Sequence, residues 1–101
     1  MTFDPNETKS QTFSLAGIDQ RLLFGQNDVF LRLIESRFRA RIIARGDNIV
    51  VDGYPPDVDS IIRLLGDLLT RVKQGDYITD QYLNYAINMV KERWEGPANS
   101  T

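Results

Sequence analysis

The stretch Ala40-Arg41-Ile42-Ile43-Ala44-Arg45-Gly46-Asp47-Asn48-Ile49-Val50-Val51-Asp52 consists of two β-rich runs on either side of a Gly-Asp pair. A glycine in the first position of a two-residue loop supplies the positive φ of a type II′ turn, whose twist matches that of the flanking strands. The stretch therefore predicts an antiparallel hairpin of 40–45 with 48–52. A two-residue loop also sets the register: Ile42 faces Val51, Ala44 faces Ile49, Ile43 faces Val50 and Arg41 faces Asp52. Because side chains alternate along a strand, Ala40, Ile42, Ala44, Ile49 and Val51 share one apolar face. Ile43 and Val50 share the other with Arg41, Arg45 and Asp52, and need a cover. The tripeptide Arg45-Gly46-Asp47 spells an adhesion motif, but it lies where the hairpin needs its turn, and the turn explains it.

Upstream, Thr12-Phe13-Ser14-Leu15-Ala16 alternates polar and apolar, the period of a half-buried strand with Phe13 and Leu15 inward. Gly17 breaks that run, and 18–24 suits a short helical turn before Gly25. Asn27 or Asp28 suits the N-cap of a helix over 29–38, where apolar residues at 30, 31, 33, 34 and 38 recur at helical spacing. Downstream, Pro55-Pro56 can open a helix, since proline is tolerated where the amide has no acceptor, and Asp57 and Asp59 favour its positive end. Val58, Ile61, Ile62, Leu65, Leu68, Leu69 and Val72 form its apolar stripe, and Gly75 ends it. Thr79 is the natural cap of a last helix with Leu83, Ala86, Ile87, Val90 and Trp94 along one side. The expected organisation is a disordered tail over 1–11, one α+β domain over 12–95, and a linker or tail over 96–101.

A chain of 101 residues, 42% hydrophobic and 26% charged, fits one globular domain. It has neither cysteine nor histidine, which removes disulfides, thiolate nucleophiles, the usual zinc ligands and the side chain that titrates near neutrality. Asp57-Val58-Asp59 resembles a metal pair, but two carboxylates in a first helical turn serve the helix dipole. None of the three lysines, Lys9, Lys73 and Lys91, follows a glycine, so the phosphate-cradling P-loop pattern does not occur. The residues predict no catalytic site, no bound metal and no cofactor in this chain. Asn6-Glu7-Thr8 and Asn99-Ser100-Thr101 match the glycosylation acceptor, which has meaning only in a secreted chain. With no secretory h-region and no membrane-length apolar run, a cytoplasmic location and no membrane partner are expected.

Charge is unevenly placed. Between positions 21 and 45 six arginines stand against Asp28 and Glu35, a local +4 that leaves −6 for the remainder of a chain whose net charge is −2. Arg21, Arg32, Arg39, Arg41 and Arg45, together with Gly25 and Gln26, form a candidate nucleic-acid-binding set. Guanidinium groups around an exposed backbone loop neutralise phosphates and stack on unpaired bases. The competing reading is a solvated rim with partial pairing, such as Arg41 with Asp52 across the hairpin. A second candidate set, Ile43, Val50, Tyr82, Tyr85 and Trp94, suits a partner surface or self-association.

The strings Leu23-Phe24-Gly25-Gln26-Asn27-Asp28, Leu31-Arg32-Leu33-Ile34-Glu35, Ile42-Ile43-Ala44-Arg45-Gly46-Asp47 and Val51-Asp52-Gly53 resemble the N-terminal domain of PhoH-like proteins. The closing Ile78-Thr79-Asp80-Gln81-Tyr82-Leu83-Asn84-Tyr85-Ala86-Ile87 is similar to the segment that precedes the ATPase domain in that family. The resemblance covers residues 12–95 and implies a type I KH-like fold, a three-stranded sheet packed by helices with one extra C-terminal helix. It also implies a P-loop ATPase domain in cis, with ATP bound there, and a link to RNA metabolism and phosphate starvation. In KH domains a Gly-x-x-Gly loop lets backbone approach nucleic-acid phosphates. The matching positions are Gly25, Gln26, Asn27 and Asp28, so an acidic side chain stands in place of the second glycine. Two functions follow as expectations: an accessory module for single-stranded RNA, or a module that docks on the ATPase domain, on a partner, or on itself as a homo-oligomer.

Overall fold

In the computed structural model, residues 8–15 and 17–99 are described, with backbone alone for 92–99. The hairpin forms as its turn dictates: β2 (Ala40–Arg45) and β3 (Asn48–Gly53) pair antiparallel with Ile42 opposite Val51 and Ile43 opposite Val50. Gly46 takes φ 59, and Asp47 is not among the residues with positive φ, the pattern of a type II′ turn. A third strand, β1 (Lys9–Ser14), pairs antiparallel with the far side of β3, giving the order β1-β3-β2. The described residues thus form an α+β fold, a three-stranded antiparallel sheet with four helices.

Alternation sorts the two sheet faces. Ile42, Ile49 and Val51 are buried, and half-buried Phe13 packs beside them. Val50 and Ile43 lie on the opposite face, half-exposed and outside the core cluster. β1 starts at Lys9, so residues 9–11, assigned to the tail from sequence, belong to the sheet; residues 1–7 of that tail lie outside the described residues. Polar side chains hid this start, since backbone pairing needs no apolar alternation. Lys9 stands opposite Gly53 and sets its Nζ 2.6 Å from Asp59 Oδ1. Leu15 falls just past the strand yet is buried, with its N–H on Asp47 O at 2.9 Å.

The helices cover the inner face. α1 (Gln20–Phe24) buries Leu23 and Phe24, and after a 3₁₀ turn at Gln26–Asp28, α2 (Val29–Arg37) buries Leu31 and Ile34. α3 (Pro55–Lys73) opens on its proline pair and packs Val58, Ile61, Leu64, Leu65, Leu68 and Leu69 against the sheet and α4. Each fully buried aliphatic side chain here stabilises the fold by about 1.5–3 kcal/mol relative to exposure. Gly75, at φ 92, ends the α3 segment in the left-handed conformation that suits glycine. Thr79 Oγ1 accepts the Tyr82 N–H at 3.1 Å and starts α4 (Asp80–Asn99), whose Leu83, Ala86 and Ile87 are buried.

Two expectations about helix ends change. Asp28 does occupy the N-cap position of α2, but it is left-handed (φ 57, ψ 32) and its side chain makes no capping bond. α4 runs to Asn99 through Gly96 and Pro97, where composition predicts a linker from 96. Extending a formed helix needs no new nucleus, so a single glycine is tolerated there, whereas Pro97 brings no N–H to the ladder. Nor, among the described residues, does α4 cover Ile43 and Val50. It packs on α3 and α2, where Arg37 donates to Asn84 Oδ1 (3.3 Å) and Asn88 Oδ1 (2.8 Å).

Candidate nucleic-acid interface

Asp19 caps α1, accepting the Arg21 N–H at 2.9 Å with one oxygen and Arg21 Nη2 at 3.1 Å with the other. The backbone bond, then the guanidinium bond, hold its carboxyl below the usual carboxylate range. The helix stops after one turn because Gly25 takes φ 74, ψ −178. A Cβ there would stand 3.1 Å from Val29 Cγ1 and 3.3 Å from Phe30 Cδ2, so the glycine also makes room for the first turn of α2. Asn27 and Asp28 follow, both at φ 57, a left-handed pair that asparagine and aspartate accept more readily than other side chains do. Exposed Leu22 (49%) and Val29 (52%) flank this loop. Sequence reading passed over both, although each sits beside the buried stripe of its own helix rather than in it, which is the available signal.

Of the expected basic residues, Arg32 on α2 and Arg41 and Arg45 on β2 are exposed. These three make no ion pair or hydrogen bond among the described residues. Arg41 is the cross-strand neighbour of Asp52, but the expected salt bridge is not formed; the register brings the Cα atoms together without requiring the side chains to meet. Arg21 is held by Asp19, and Arg39 is turned to the start of α3. Its N–H donates to Asp57 Oδ2 at 2.6 Å and its guanidinium lies 5.7 Å from the Tyr54 ring centroid. Gln26 is exposed in the loop beside Gly25. The loop, α2 and β2 are consecutive neighbours, with Gly25, Gln26 and Arg32 on the helix side, whereas Arg41 and Arg45 alternate with Ile42 onto the sheet face that carries Ile43 and Val50; Arg21 pairs with Asp19, and the Arg39 guanidinium lies by the Tyr54 ring.

A link absent from the sequence reading joins α2 to β2: Glu35 Oε2 accepts the N–H of Ile42 at 2.7 Å, partly buried. The carboxylates of the Asp57-Val58-Asp59 run are also assigned, Asp57 to Arg39 N–H and Asp59 to Lys9.

The second expected set does not form one surface. Ile43 and Val50 are on the helix-free sheet face, whereas Tyr82 and Tyr85 are on α4 beside α3; the Trp94 side chain lies outside the described residues. Between α3 and α4 is an open cleft of about 330 Å³, bordered by Arg63, Asp67 and Arg71 on one side and Tyr82, Tyr85 and Met89 on the other. Its charges are largely used in holding the helices together. The Tyr82 hydroxyl donates to Asp67 and the Arg71 guanidinium stacks 4.0 Å from the same ring. Burial, then the bond to Asp67, push the Tyr82 phenol above its ordinary value. The signal in sequence was the i, i+4, i+8 spacing of Arg63, Asp67 and Arg71, which aligns them on one side of α3. Among the described residues no helix is long and apolar enough to cross a membrane.

No protein-family model matches the chain, and no solved structure matches it. The chain is 40% identical over 70 residues to a PhoH-like protein of Bacillus subtilis (strain 168), a match that covers 69% of this chain and 22% of that protein. The chain thus spans about a fifth of the length of the curated relative it matches, and it is related to PhoH-like proteins through that segment.

Proposed function

We propose that the α+β domain that starts at Lys9 is a KH-like module of a PhoH-like ATPase and that, without catalytic residues of its own, it holds single-stranded RNA in the cytosol for an ATPase domain in cis. The element order and the antiparallel order β1-β3-β2 suit a type I KH arrangement with α4 appended. The observation that carries the functional reading is local. A left-handed loop at 25–28 flanked by exposed Leu22 and Val29 adjoins α2 and β2, on which Arg32, Arg41 and Arg45 lack protein partners among the described residues. Phosphates go to the guanidinium groups, and unpaired bases rest on the apolar side chains at the loop. Asp28 opposes phosphate at the loop, so affinity is weak and electrostatic. Fluorescence anisotropy of a labelled oligouridylate, with Arg41→Glu beside the parent, tests it: binding that Arg41→Glu abolishes supports the reading, and no binding at low salt removes it.

A second reading has its own observation. Tyr77 and Tyr85 are 84% and 57% exposed, and Met89 borders the same cleft. Exposed aromatic and methionine side chains favour protein contact, with the ATPase domain or a second copy as the partner. Under that reading Tyr85→Glu abolishes association measured by analytical ultracentrifugation, while Arg41→Glu leaves it intact.

A further inference from the structure

In an antiparallel pair the N–H and C=O of one residue point to the same side, and successive residues alternate. Arg39 O accepts the Tyr54 N–H at 2.9 Å, so Arg39, Arg41, Ile43 and Arg45 direct their backbone groups toward β3 and the chain that follows it. Ala40, Ile42 and Ala44 therefore direct theirs to the outer edge of β2, which is an edge strand of the sheet. An edge donor is open to any acceptor that reaches it. At Ile42 that donor is occupied, because α2 delivers the Glu35 carboxylate to it at 2.7 Å.

A carboxylate oxygen accepts a backbone N–H as a nucleobase carbonyl does, and its charge makes the bond stronger. Glu35 also puts a negative charge on the same helix as Arg32, beside the strand that carries Arg41 and Arg45. We propose that Glu35 is an internal competitor for the β2 edge: bound nucleic acid takes the Ile42 N–H only by displacing the Glu35 carboxylate. The proposal rests on the RNA reading above and adds to it a residue that limits affinity. Removing the competitor tightens binding, whereas a residue that serves only to stabilise the α2–β2 junction has no such effect.

The test is anisotropy of a short fluorescein-labelled oligouridylate at about 50 mM salt, comparing the parent with Glu35→Gln and Glu35→Ala, each confirmed as folded by circular dichroism. Glutamine removes the charge but keeps an amide oxygen that accepts the Ile42 N–H; alanine removes both. The expected order of affinity is Glu35→Ala, then Glu35→Gln, then parent, with about a tenfold gain for alanine, the size expected from one charge-assisted hydrogen bond. Equal gains for the two variants mean simple repulsion, and no gain means a structural role; either result overturns the proposal while leaving the RNA reading intact when the parent binds and Arg41→Glu does not. No binding by any variant removes both. A readout free of mutation is the Ile42 amide resonance of the parent, which shifts on RNA saturation if its acceptor is exchanged and stays in place if the proposal is wrong.

Discussion

The Tyr82 hydroxyl donates to the Asp67 carboxylate across the interface of α3 and α4, and Arg71 stacks on the same ring, so one tyrosine anchors the last helix by both its edge and its face. Tyr82→Phe keeps the ring and its stacking but leaves Asp67 without that donor. The expected loss is about 1 kcal/mol at neutral pH, the net value of an ordinary hydrogen bond in a partly solvated setting. Urea denaturation of parent and variant measures it.

The same phenol gives an alkaline signature. Its pKa is raised in the folded protein, so an unfolded chain loses the proton first as pH rises. The contribution to stability is complete below the ordinary tyrosine value of 10.0 and is lost as pH rises through the higher, folded value. Between pH about 9 and 11 the urea midpoint of the parent therefore falls more steeply than that of Tyr82→Phe, which lacks the titrating group. Parallel curves contradict the assignment.

At Gly53 the sheet leaves no room for a side chain. A Cβ there would stand 2.6 Å from Ala40 Cα and 2.6 Å from Arg39 O, both backbone atoms that cannot swing away. Gly53→Ala should cost about 1–3 kcal/mol, the usual range for forced overpacking. A Gly46→Ala control meets nothing within 4 Å and is penalised only through its positive φ.

Capping at Thr79 is the simplest local prediction. Its Oγ1 receives the Tyr82 N–H, and Thr79→Ala removes that acceptor at a cost of about 1 kcal/mol, read from the thermal midpoint; Thr79→Ser restores most of it.

What the sequence revealed and what it hid divide along a physical line. The hairpin register, the α3 stripe and the Thr79 cap were legible because each depends on residues a few positions apart: period two, period 3.6, or a hydroxyl three residues before its N–H. β1 lost its first three residues to the tail, because Lys9, Ser10 and Gln11 contribute backbone rather than apolar surface to the pairing. The arginine cluster was visible as charge, but its division was not. Arg37 finds Asn84 and Asn88, 47 and 51 residues away, and Arg39 sets its guanidinium by Tyr54 and its backbone N–H on Asp57. Those partners are set by how α2 and α4 pack and how α3 departs from β3, which no local pattern encodes. Glu35 was equally hidden, since nothing in its spacing to Ile42 distinguishes an edge acceptor from a solvated glutamate.

The measurement that bears most directly on the central claim is the salt dependence of single-stranded RNA binding, by anisotropy, for the parent, Arg41→Glu and Asp28→Gly. Arg32, Arg41 and Arg45, three arginines without partners among the described residues, predict a slope of log K against log salt of about −2, at roughly 0.7 per neutralised phosphate. Arg41→Glu should abolish binding at moderate salt. Asp28→Gly should strengthen it, because glycine accepts the left-handed φ of 57 there and removes the opposing charge. Binding with no salt dependence, equal affinity in all three, or no binding at low salt would contradict an RNA role and leave the exposed tyrosines of α4 and its approach as the functional surface.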